Sequence, residues 1–433
     1  MRHLIPKLSP PVWRLLGADA LSALGTGLTL PFLLVYLHGV RGLGIGVTSA
    51  VIASIGVVSL VGNPLGGWLA DRYGARPALL GGLLVSAAGA LGWLAVTGPL
   101  QAFTAAAVYA LGASVAVTAQ STLLGRLCAP AERSNAFAVG HMTLNTGLGA
   151  GGLIAALAVR PEQAESFTTL YALDAATFLA AATIVATMVP GGARPDRSAL
   201  PDGGGQRSTG YADVLRDRTF LLLWIVTALL VTVGFSQIAV TLPAVAVGHA
   251  GLPSSYLGLI HAANTVTVVV CQLLVLRLVE GRRRTRAITA LALIWSLSWL
   301  LVLVAGQLQG SPLLALLTLI SAMAVFALGE TLMAPTIAPM ANDLAPDALR
   351  GRYNGALLLA YTCGFALGPL MAGALLDNGL VNTLLLGLAG LSAASVLVIR
   401  RLEARMPQAA NLVPGRDDTG VHEDTASSAA GIE

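Results

Sequence analysis

Long runs of apolar residues, separated by short polar stretches, dominate this chain of 433 residues. A helix needs about 20 apolar residues to cross the hydrocarbon core of a bilayer, and twelve runs are long enough. The runs lack the alternation of a barrel strand, and a helix satisfies its own backbone hydrogen bonds in lipid. The pattern predicts an all-α membrane protein with spans at residues 14–38, 43–70, 77–98, 100–124, 136–159, 167–190, 219–247, 254–279, 286–306, 312–341, 353–376 and 381–400.

The polar stretches divide the spans into two groups of six. The longest interior stretch, residues 191–218, is rich in Gly, Pro, Ser, Asp and Arg, a composition typical of flexible linkers. We therefore expect one six-helix bundle within residues 1–190 and a second within residues 219–402. The polar end of the chain, residues 403–433, is predicted to be a disordered cytoplasmic tail.

Two short motifs recur at equivalent places in the two predicted bundles. Thr-Leu-Pro occurs at residues 29–31 of span 1 and again at residues 241–243 of span 7. The sequence that opens span 5, residues 133–136, resembles residues 352–355, which open span 11. Each match is weak by itself because small residues recur by chance in apolar sequence. Their common placement favours the duplicated, pseudo-symmetric architecture found in transporters, with a site between the bundles.

The basic residues are confined almost entirely to alternate loops. All 25 except Arg41 and Arg160 fall in every second gap between spans. Because basic residues near span ends stay on the cytoplasmic side, we predict a multi-pass protein of the cell membrane with both termini in the cytoplasm. Only 11% of the residues are charged, against roughly 25% in a soluble domain. The net charge of +4 then reflects topology and contacts with membrane lipids, and we do not expect binding of nucleic acid.

The sequence offers no constellation typical of an enzyme. Cys128, Cys271 and Cys363 lack the paired spacing of a disulfide or a metal site. No nucleophile with an accompanying base stands out at membrane depth. We therefore expect no catalytic residue, no metal and no cofactor.

Three acidic residues lie well inside the predicted spans, namely Asp19, Asp174 and Glu330. A charge at the bilayer centre costs about 3 kcal/mol, so each acid must face water or stay protonated. Each is therefore a candidate proton site. His141 and His261 could relay protons because histidine titrates near neutral pH, although a hydrogen-bonded histidine between helices is the commoner case.

Uncharged polar residues within the spans are candidates for orienting a substrate, with the joining of helices as an equal alternative. These candidates are Asn145, Gln237, Asn264 and Tyr361.

The loop between spans 2 and 3 carries the most specific motif of the chain. It reads Gly67-Trp68-Leu69-Ala70-Asp71-Arg72-Tyr73-Gly74-Ala75-Arg76-Pro77. This resembles the signature loop of the major facilitator superfamily, and the resemblance covers roughly residues 12–402. It implies the major facilitator fold and a cytoplasmic gating latch made of Gly67, Asp71, Arg72, Gly74 and Arg76. The loop between spans 8 and 9, residues 277–284, is a degenerate counterpart that serves either as topological charge or as a gating contact.

The resemblance also ranks the acidic residues. In the family, spans 1, 4, 7 and 10 line a central cavity, so Glu330 in span 10 is the first candidate for proton coupling. Asp19 in span 1 is the second, unless it pairs with Arg14 at the membrane interface. Asp174 lies in span 6, an outer supporting helix, where a structural aspartate fits better. Span 4 lacks the arginine that often serves proton coupling in the family, since residues 107–112 contain no base.

Further features resemble the drug-exporting branch of this family. Gly364, Gly368 and Pro369 of span 11 resemble an antiporter gating motif, although that motif normally lies in span 5 and helix packing explains these residues equally well. The stretch 344–353 and the Gly-Glu of span 10 resemble bacterial drug:proton antiporters. The resemblance implies a monomer that exports a small lipophilic or cationic molecule in exchange for protons by alternating access. A proton symporter or facilitator for a nutrient such as a sugar or amino acid is the open alternative, and a non-transporting sensor is a remoter one.

Overall fold

The computed structural model describes residues 6–158, 164–190, 210–253 and 256–413. Within these ranges the chain forms helices and turns, with one isolated β-bridge. Its twelve long helices in this described part are α1 (Pro10–Thr29), α2 (Ile45–Arg72), α3 (Ala75–Gly92), α4 (Pro99–Leu127), α5 (Pro130–Ala158), α6 (Ala164–Met188), α7 (Arg218–Val233), α8 (Tyr256–Val279), α9 (Arg284–Gly306), α10 (Pro312–Glu330), α11 (Arg350–Leu376) and α12 (Val381–Arg405). Shorter helices are Tyr211–Arg216, Phe235–Ile238, Thr241–Pro243, Ile337–Leu344 and Gln408–Asn411.

Eleven of the spans in the described part of the chain are long and apolar enough to cross a membrane. The remaining long helix, α5, is 29 residues long, about 44 Å at 1.5 Å per residue. It is less apolar because it carries Glu132, Arg133, His141 and Asn145, and much of this polar face is turned toward the other bundle. The prediction of an all-α membrane protein is confirmed, with eleven of the twelve long helices in the described residues suited to cross a membrane.

The buried apolar residues form separate cores in two bundles. One core draws on residues 214–413, and three smaller clusters draw on residues 8–189. Within the first bundle α3 packs on α4, and α1 packs on α5 and α6; within the second, α9 packs on α10 and α12, and α7 on α11. The bundles meet mainly along two seams, α2 against α11 and α5 against α8. The two seams are equivalent, because α2 of the first half corresponds to α8 of the second, and α5 corresponds to α11.

Three spans predicted as continuous are interrupted. Span 1 changes after Thr29, span 7 changes at Gly234, and α10 ends at Glu330. Proline removes a backbone donor and ends regular helix, and both Thr-Leu-Pro repeats lead into a π-helical turn, at Val35–Val40 and at Ala244–His249. The repeat therefore marks the same kind of helix break in both halves.

The described part of the predicted linker is ordered. Residues 191–209 lie outside the described residues, but helix Tyr211–Arg216 follows them. The Tyr211 hydroxyl donates to the carbonyl oxygen of Pro64 on α2, and burial raises the pKa of Tyr211, so the phenol remains a donor. Asp217 accepts from the backbone N–H of Thr219 at 2.9 Å and so caps α7. The expectation of a flexible linker up to residue 218 is therefore wrong for residues 210–218.

The predicted disordered tail is also ordered at its beginning. α12 continues to Arg405, and the Asn411 side chain accepts from the backbone N–H of Thr285 at 3.0 Å. Val413 exchanges backbone hydrogen bonds with the loop before α9, at Gly281 and Arg282. These contacts supply partners for the start of α9, which has no side-chain cap of its own. The prediction of disorder is thus wrong for residues 403–413, and residues 414–433 lie outside the described residues.

Candidate substrate and proton site

A cavity of about 360 Å³ lies between the two bundles. Its walls come from α1, α4, α5 and α11, from helix Phe235–Ile238 and from the segment that follows α10. Leu124 and Asn354, one turn from the ends of α4 and α11, are 4% and 1% exposed. Val117 and Phe365, two to three turns farther along these helices, are 49% and 51% exposed. The cavity is therefore closed toward the end where α2 finishes and α11 begins, here called the arginine-rich end, and open toward the opposite end.

A larger groove of about 450 Å³ lies on the outer surface of α2, α3 and α4. Its lining is almost wholly apolar, including Leu65, Val85 and Val115. It offers few groups that could orient a polar substrate, so the central cavity is the better candidate site.

The central cavity carries one carboxylate and several aromatic rings. Asp19 lies in its wall and is hydrogen-bonded by the side chain of Gln120. Arg14 does not neutralise Asp19 in the described structure, because it donates to the carbonyl oxygen of Met188 at 3.2 Å. Tyr361 is also part of the wall. Besides Asp19 and Gln120, the aromatic and polar lining residues are Ser121, Phe137, His141, Phe235, Asn354, Tyr361 and Phe365.

Glu330 lies directly behind this wall and joins the two bundles. Its side chain is 5% exposed, and one oxygen, Oε1, is 3.3 Å from Nε2 of His141 on α5. The other oxygen, Oε2, accepts from the Asn264 amide at 2.9 Å. His141 itself lines the cavity. A carboxyl of the second bundle is thus paired with an imidazole of the first at the edge of the substrate space.

The neighbours of His141 fix its tautomer. Gln272 donates through Nε2 to the carbonyl oxygen of Thr331 at 2.9 Å, so its Oε1 faces Nδ1 of His141 at 3.1 Å. An amide oxygen only accepts, so Nδ1 carries a proton. The Asn145 amide nitrogen is 3.1 Å from Nε2 and also donates to the His141 carbonyl oxygen. The Asn145 donor marks Nε2 as an acceptor, and Oε1 of Glu330 lies 3.3 Å from the same nitrogen.

The structure brings five of the predicted residues to this site, including Asp19 in the cavity wall, and leaves two elsewhere. Glu330, Asn264 and Asn145 share the network around His141, and Tyr361 faces the cavity. Asp174 is fully buried inside the first bundle, where Thr29 donates to its Oδ2 at 2.9 Å. The amide of Gln237 is fully buried and donates to the carbonyl oxygens of Thr232 and Gly368, which ties the break in span 7 to α11. Neither Asp174 nor Gln237 lines the cavity.

His141 is the residue whose importance the sequence understated. The sequence favours a histidine hydrogen-bonded between helices at this position, because nothing in it pairs a residue of α5 with one of α10. The available signal was the spacing of His141 and Asn145, which places both on one face of a helix that is less apolar than its neighbours. His261 has a local role, because its Nδ1 is hydrogen-bonded to the carbonyl oxygen of Leu257 in its own helix.

Asp71 of the predicted latch bridges the bundles. Its Oδ1 accepts from the backbone N–H of Gly351 at 2.7 Å, and its Oδ2 accepts from that of Arg352 at 2.9 Å. The start of α11 has no side-chain cap of its own, so Asp71 caps it from the other bundle and faces the positive end of the helix dipole. Gly67 permits this approach, since a Cβ there would lie 2.4 Å from the Gly351 carbonyl oxygen. Arg126 of α4 adds an ion pair to Asp71 at 3.2 Å.

The other residues of the motif serve the first bundle. Gly74 forms the turn between α2 and α3 with a φ of 104°, a conformation that favours glycine. Arg76 donates to carbonyl oxygens of Val185 and Ala186 at the end of α6. In the described structure its hydrogen bonds therefore stay within one bundle and do not cross the seam. Arg72 is exposed at the end of α2.

The glycines of span 11 pack within the second bundle. A Cβ on Gly364 would lie 2.6 Å from Val231, and one on Gly368 would lie 1.8 Å from Ser236, both beside the break in span 7 at Gly234. Pro369 lies inside α11 and does not interrupt it. The structure therefore places this motif in helix packing, the alternative that the sequence left open.

A second connection at the arginine-rich end was not singled out from the sequence. Asp343, which follows α10, pairs with Arg133 of α5 through one oxygen and with Arg284 of α9 through the other, the latter at 2.5 Å. Arg284 is fully buried and also donates to the Ser134 hydroxyl and to the carbonyl oxygen of Ala410. The degenerate loop that ends at residue 284 thus supplies a cross-bundle contact through its last arginine.

Comparison with known proteins gives a family and a fold. The sequence profile described as Major Facilitator Superfamily matches residues 15–317 and 251–424. The chain is 23% identical over 393 residues to the Uncharacterized MFS-type transporter YttB of Bacillus subtilis (strain 168), covering 89% of this chain and 93% of the relative. It is 28% identical over 344 residues to the Multidrug resistance protein MdtH of Cronobacter sakazakii (strain ATCC BAA-894), covering 78% of each. The crystal structure of a bacterial homologue of iron transporter ferroportin in outward-facing state is similar in fold, with a TM-score of 0.74 at 14% identity over 91% of this chain and 100% of that one.

Proposed function

Because this chain belongs to the major facilitator superfamily, we propose that it exports a small lipophilic or cationic molecule in exchange for protons. Transporters of this family bind small-molecule substrates between their two bundles. The observation that carries the proton coupling is the Glu330–His141 pair, which joins the bundles beside the cavity. The observation that supports a lipophilic or cationic substrate is a cavity lined by aromatic rings and by the carboxyl of Asp19.

The positive-inside rule orients the arginine-rich end toward the cytoplasm. The cavity is closed at that end by Asp71 and Asp343 and open at the other, so the described conformation faces outward in this proposal. The similar ferroportin homologue is named as outward-facing, which supports the same assignment.

In this proposal, protons exchange at the close contact between Glu330 of α10 and His141 of α5. A proton held between Glu330 and His141 joins the bundles in the conformation seen here. Loss of that proton leaves a carboxylate 3.3 Å from a nitrogen lone pair, and the bond across the seam is lost. A cation near Asp19 disfavours uptake of the proton by the Glu330–His141 pair, because the proton adds positive charge and His141 lines the same cavity. Substrate and proton would thus favour different states, as an antiporter requires.

Transport in everted membrane vesicles tests this proposal. With the vesicle interior acidified, an exporter accumulates the lipophilic cation tetraphenylphosphonium and releases protons. Glu330→Gln keeps the size and hydrogen-bonding capacity of the side chain but cannot titrate, so we expect proton-driven accumulation to fall to background. Glu165→Gln, at an exposed position of α6, is the matched control and should transport normally.

Undiminished accumulation in Glu330→Gln would exclude this residue from proton coupling. Accumulation only in right-side-out vesicles with an inward proton gradient would replace the exporter by the nutrient symporter, the second candidate. A susceptibility screen of a host that lacks its own exporters, expressing the protein or Glu330→Gln, then identifies the compounds transported. MdtH is named as a multidrug resistance protein, which makes antibiotics and toxic dyes the first compounds to screen.

A further inference from the structure

A fully buried indole, Trp295 of α9, occupies the space between two helix breaks of the second bundle. One edge of the ring faces Gly234, where a Cβ would lie 2.1 Å from Cζ3. The opposite edge faces Gly329, where a Cβ would lie 2.7 Å from Cδ1 and from Nε1. Both glycines are therefore required by this ring.

Each of these two glycines precedes a residue of the candidate site. Gly234 ends α7 and is followed by Phe235, which lines the cavity and meets the Trp295 ring edge-on at 5.3 Å between centroids. Gly329 is followed by Glu330, the candidate proton carrier. The same indole therefore contacts the glycine before Phe235, a residue of the cavity wall, and the glycine before Glu330.

The indole also holds the turn of α10 that carries Glu330. Its Nε1–H donates to the carbonyl oxygen of Phe326 at 2.9 Å, and the two rings stack at 4.5 Å. Phe326 lies one helical turn before Glu330, so a shift of the indole moves the backbone on which the carboxyl is mounted. Side chains this closely packed transmit displacement because the interior has no free volume to absorb it.

We infer that Trp295 is a positioning residue that couples substrate in the cavity to the Glu330–His141 pair. A substrate that displaces Phe235 moves the indole, and the indole moves Gly329 and Glu330 relative to His141. This role rests on the proposed proton exchange at that pair. It adds a physical path between the substrate space and the proton site, which are separated by the cavity wall.

The neighbouring tryptophan provides a matched control. Trp299 lies one turn along α9, is 2% exposed and donates through Nε1 to the carbonyl oxygen of Val233 at 2.8 Å. It therefore stabilises the same break in span 7 as Trp295. It meets the Phe326 ring only edge-on, at 6.2 Å between centroids, makes no hydrogen bond to that turn of α10 in the described structure, and is not among the nearest neighbours of Gly329. We therefore expect it to transmit much less displacement to Glu330 than Trp295 does.

The test measures linkage between substrate and proton in purified protein. Binding of tetraphenylphosphonium is measured at about pH 5.5 and about pH 8, where we expect wild-type affinity to differ by about tenfold, weaker at the lower pH, because binding linkage is reciprocal. Trp295→Phe removes the N–H donor and part of the ring, and Gly329→Ala displaces the indole while retaining it. We expect both variants to keep the affinity at high pH within about twofold and to lose most of the pH dependence, whereas Trp299→Phe keeps it.

The outcomes separate this inference from the proposed function. Wild-type binding that is absent or independent of pH, or pH dependence retained in Glu330→Gln, would overturn both. A wild-type pH dependence that Glu330→Gln abolishes but Trp295→Phe and Gly329→Ala preserve would overturn the role of Trp295 alone. Equal loss of binding at both pH values in the Trp295 and Trp299 variants, with lower melting temperatures, would show a merely structural role and would also overturn it.

Discussion

The two seams between the bundles are equivalent by pseudo-symmetry but are built from different chemistry. Along α2 and α11, Gly67 and Gly355 bring backbones into contact, Asn63 donates to Thr362 at 3.0 Å, and Asp71 caps α11. Along α5 and α8, contact depends on the polar network of His141 and its partners. The first seam relies on close backbone packing and on a carboxylate that accepts backbone N–H groups, whereas the second contains the pair to which we assign proton exchange. In this proposal the duplicated scaffold assigns rigidity to one seam and proton exchange to the other.

We expect the largest effect on proton-driven transport from loss of the His141 imidazole, which tests whether the α5–α8 seam differs from the α2–α11 seam. His141→Gln retains hydrogen bonding to Gln272 but cannot share a proton with Glu330, so we expect proton-driven transport to fall by about 100-fold. The double variant with Glu330→Gln should be no worse than either single variant, because residues that act as a unit are non-additive. Both singles and the double are compared in the everted-vesicle assay. Additive losses would mean that the two residues act separately and that this seam has no proton-sharing pair.

The second effect concerns the charges that close the arginine-rich end. Asp343→Asn leaves the buried guanidinium groups of Arg133 and Arg284 without a counter-ion, which costs about 3–5 kcal/mol. Asp71→Asn should cost less, about 1–2 kcal/mol, because its amide oxygen still accepts one of the two backbone N–H groups and Arg126 keeps the Ala70 carbonyl oxygen as a partner. We expect both variants to populate the conformation open at this end, Asp343→Asn more strongly.

Distances between spin labels at Tyr73→Cys and Leu278→Cys, both at exposed positions on opposite bundles, measure this opening. Burial and the nearby Glu132 raise the pKa of Cys128 to about 12, so this thiol stays unlabelled at neutral pH, whereas Cys271 and Cys363 are first replaced by serine. Asp377→Asn, at the far end of α11, is the control and should leave the distances unchanged. A larger opening in Asp71→Asn than in Asp343→Asn would reverse the ranking of the two locks.

The third prediction compares how tightly the two seams are packed. A Cβ at Gly67 would lie 2.4 Å from a backbone oxygen of Gly351, whereas a Cβ at Gly149 of α5 would lie 3.3 Å from the Thr265 methyl group of α8. Backbone cannot move aside as a methyl group can, so we expect Gly67→Ala to destabilise the closed seam by about 1–3 kcal/mol and Gly149→Ala by less than about 1 kcal/mol. Melting temperatures of the purified variants give the comparison. Equal losses would indicate that both seams are packed to the same tightness.

The fold was accessible from the sequence because hydrophobic runs and arginine placement are local patterns. The latch aspartate was accessible for a similar reason, since Asp71 lies in a contiguous motif. The pairing of His141 with Glu330 was not, because these residues are far apart in sequence and the register between α5 and α10 depends on three-dimensional packing. The same reason explains the linker, where Tyr211 bonds to α2, and the start of the tail, where Asn411 bonds to α9. Polar composition predicts disorder correctly only when the polar groups lack such distant partners.

The smallest expected effect tests whether the tail contributes to the closed end. Asn411 accepts from the Thr285 backbone N–H, and Ala410 offers its carbonyl oxygen to Arg284, the arginine that also binds Asp343. Asn411→Ala removes one helix cap, which costs about 1 kcal/mol, and loosens the segment that shields Arg284. We expect a lower melting temperature than for Asn378→Ala, whose amide at the opposite end of the second bundle bonds only within its own turn. Because Arg284 also contacts Ser134 of the first bundle, Asn411→Ala should weaken the lock beside the proton-dependent seam and leave the α2–α11 seam intact. An equal melting temperature for both variants would show that Asn411 does not stabilise the closed end. The difference between the seams would then come from the helices alone.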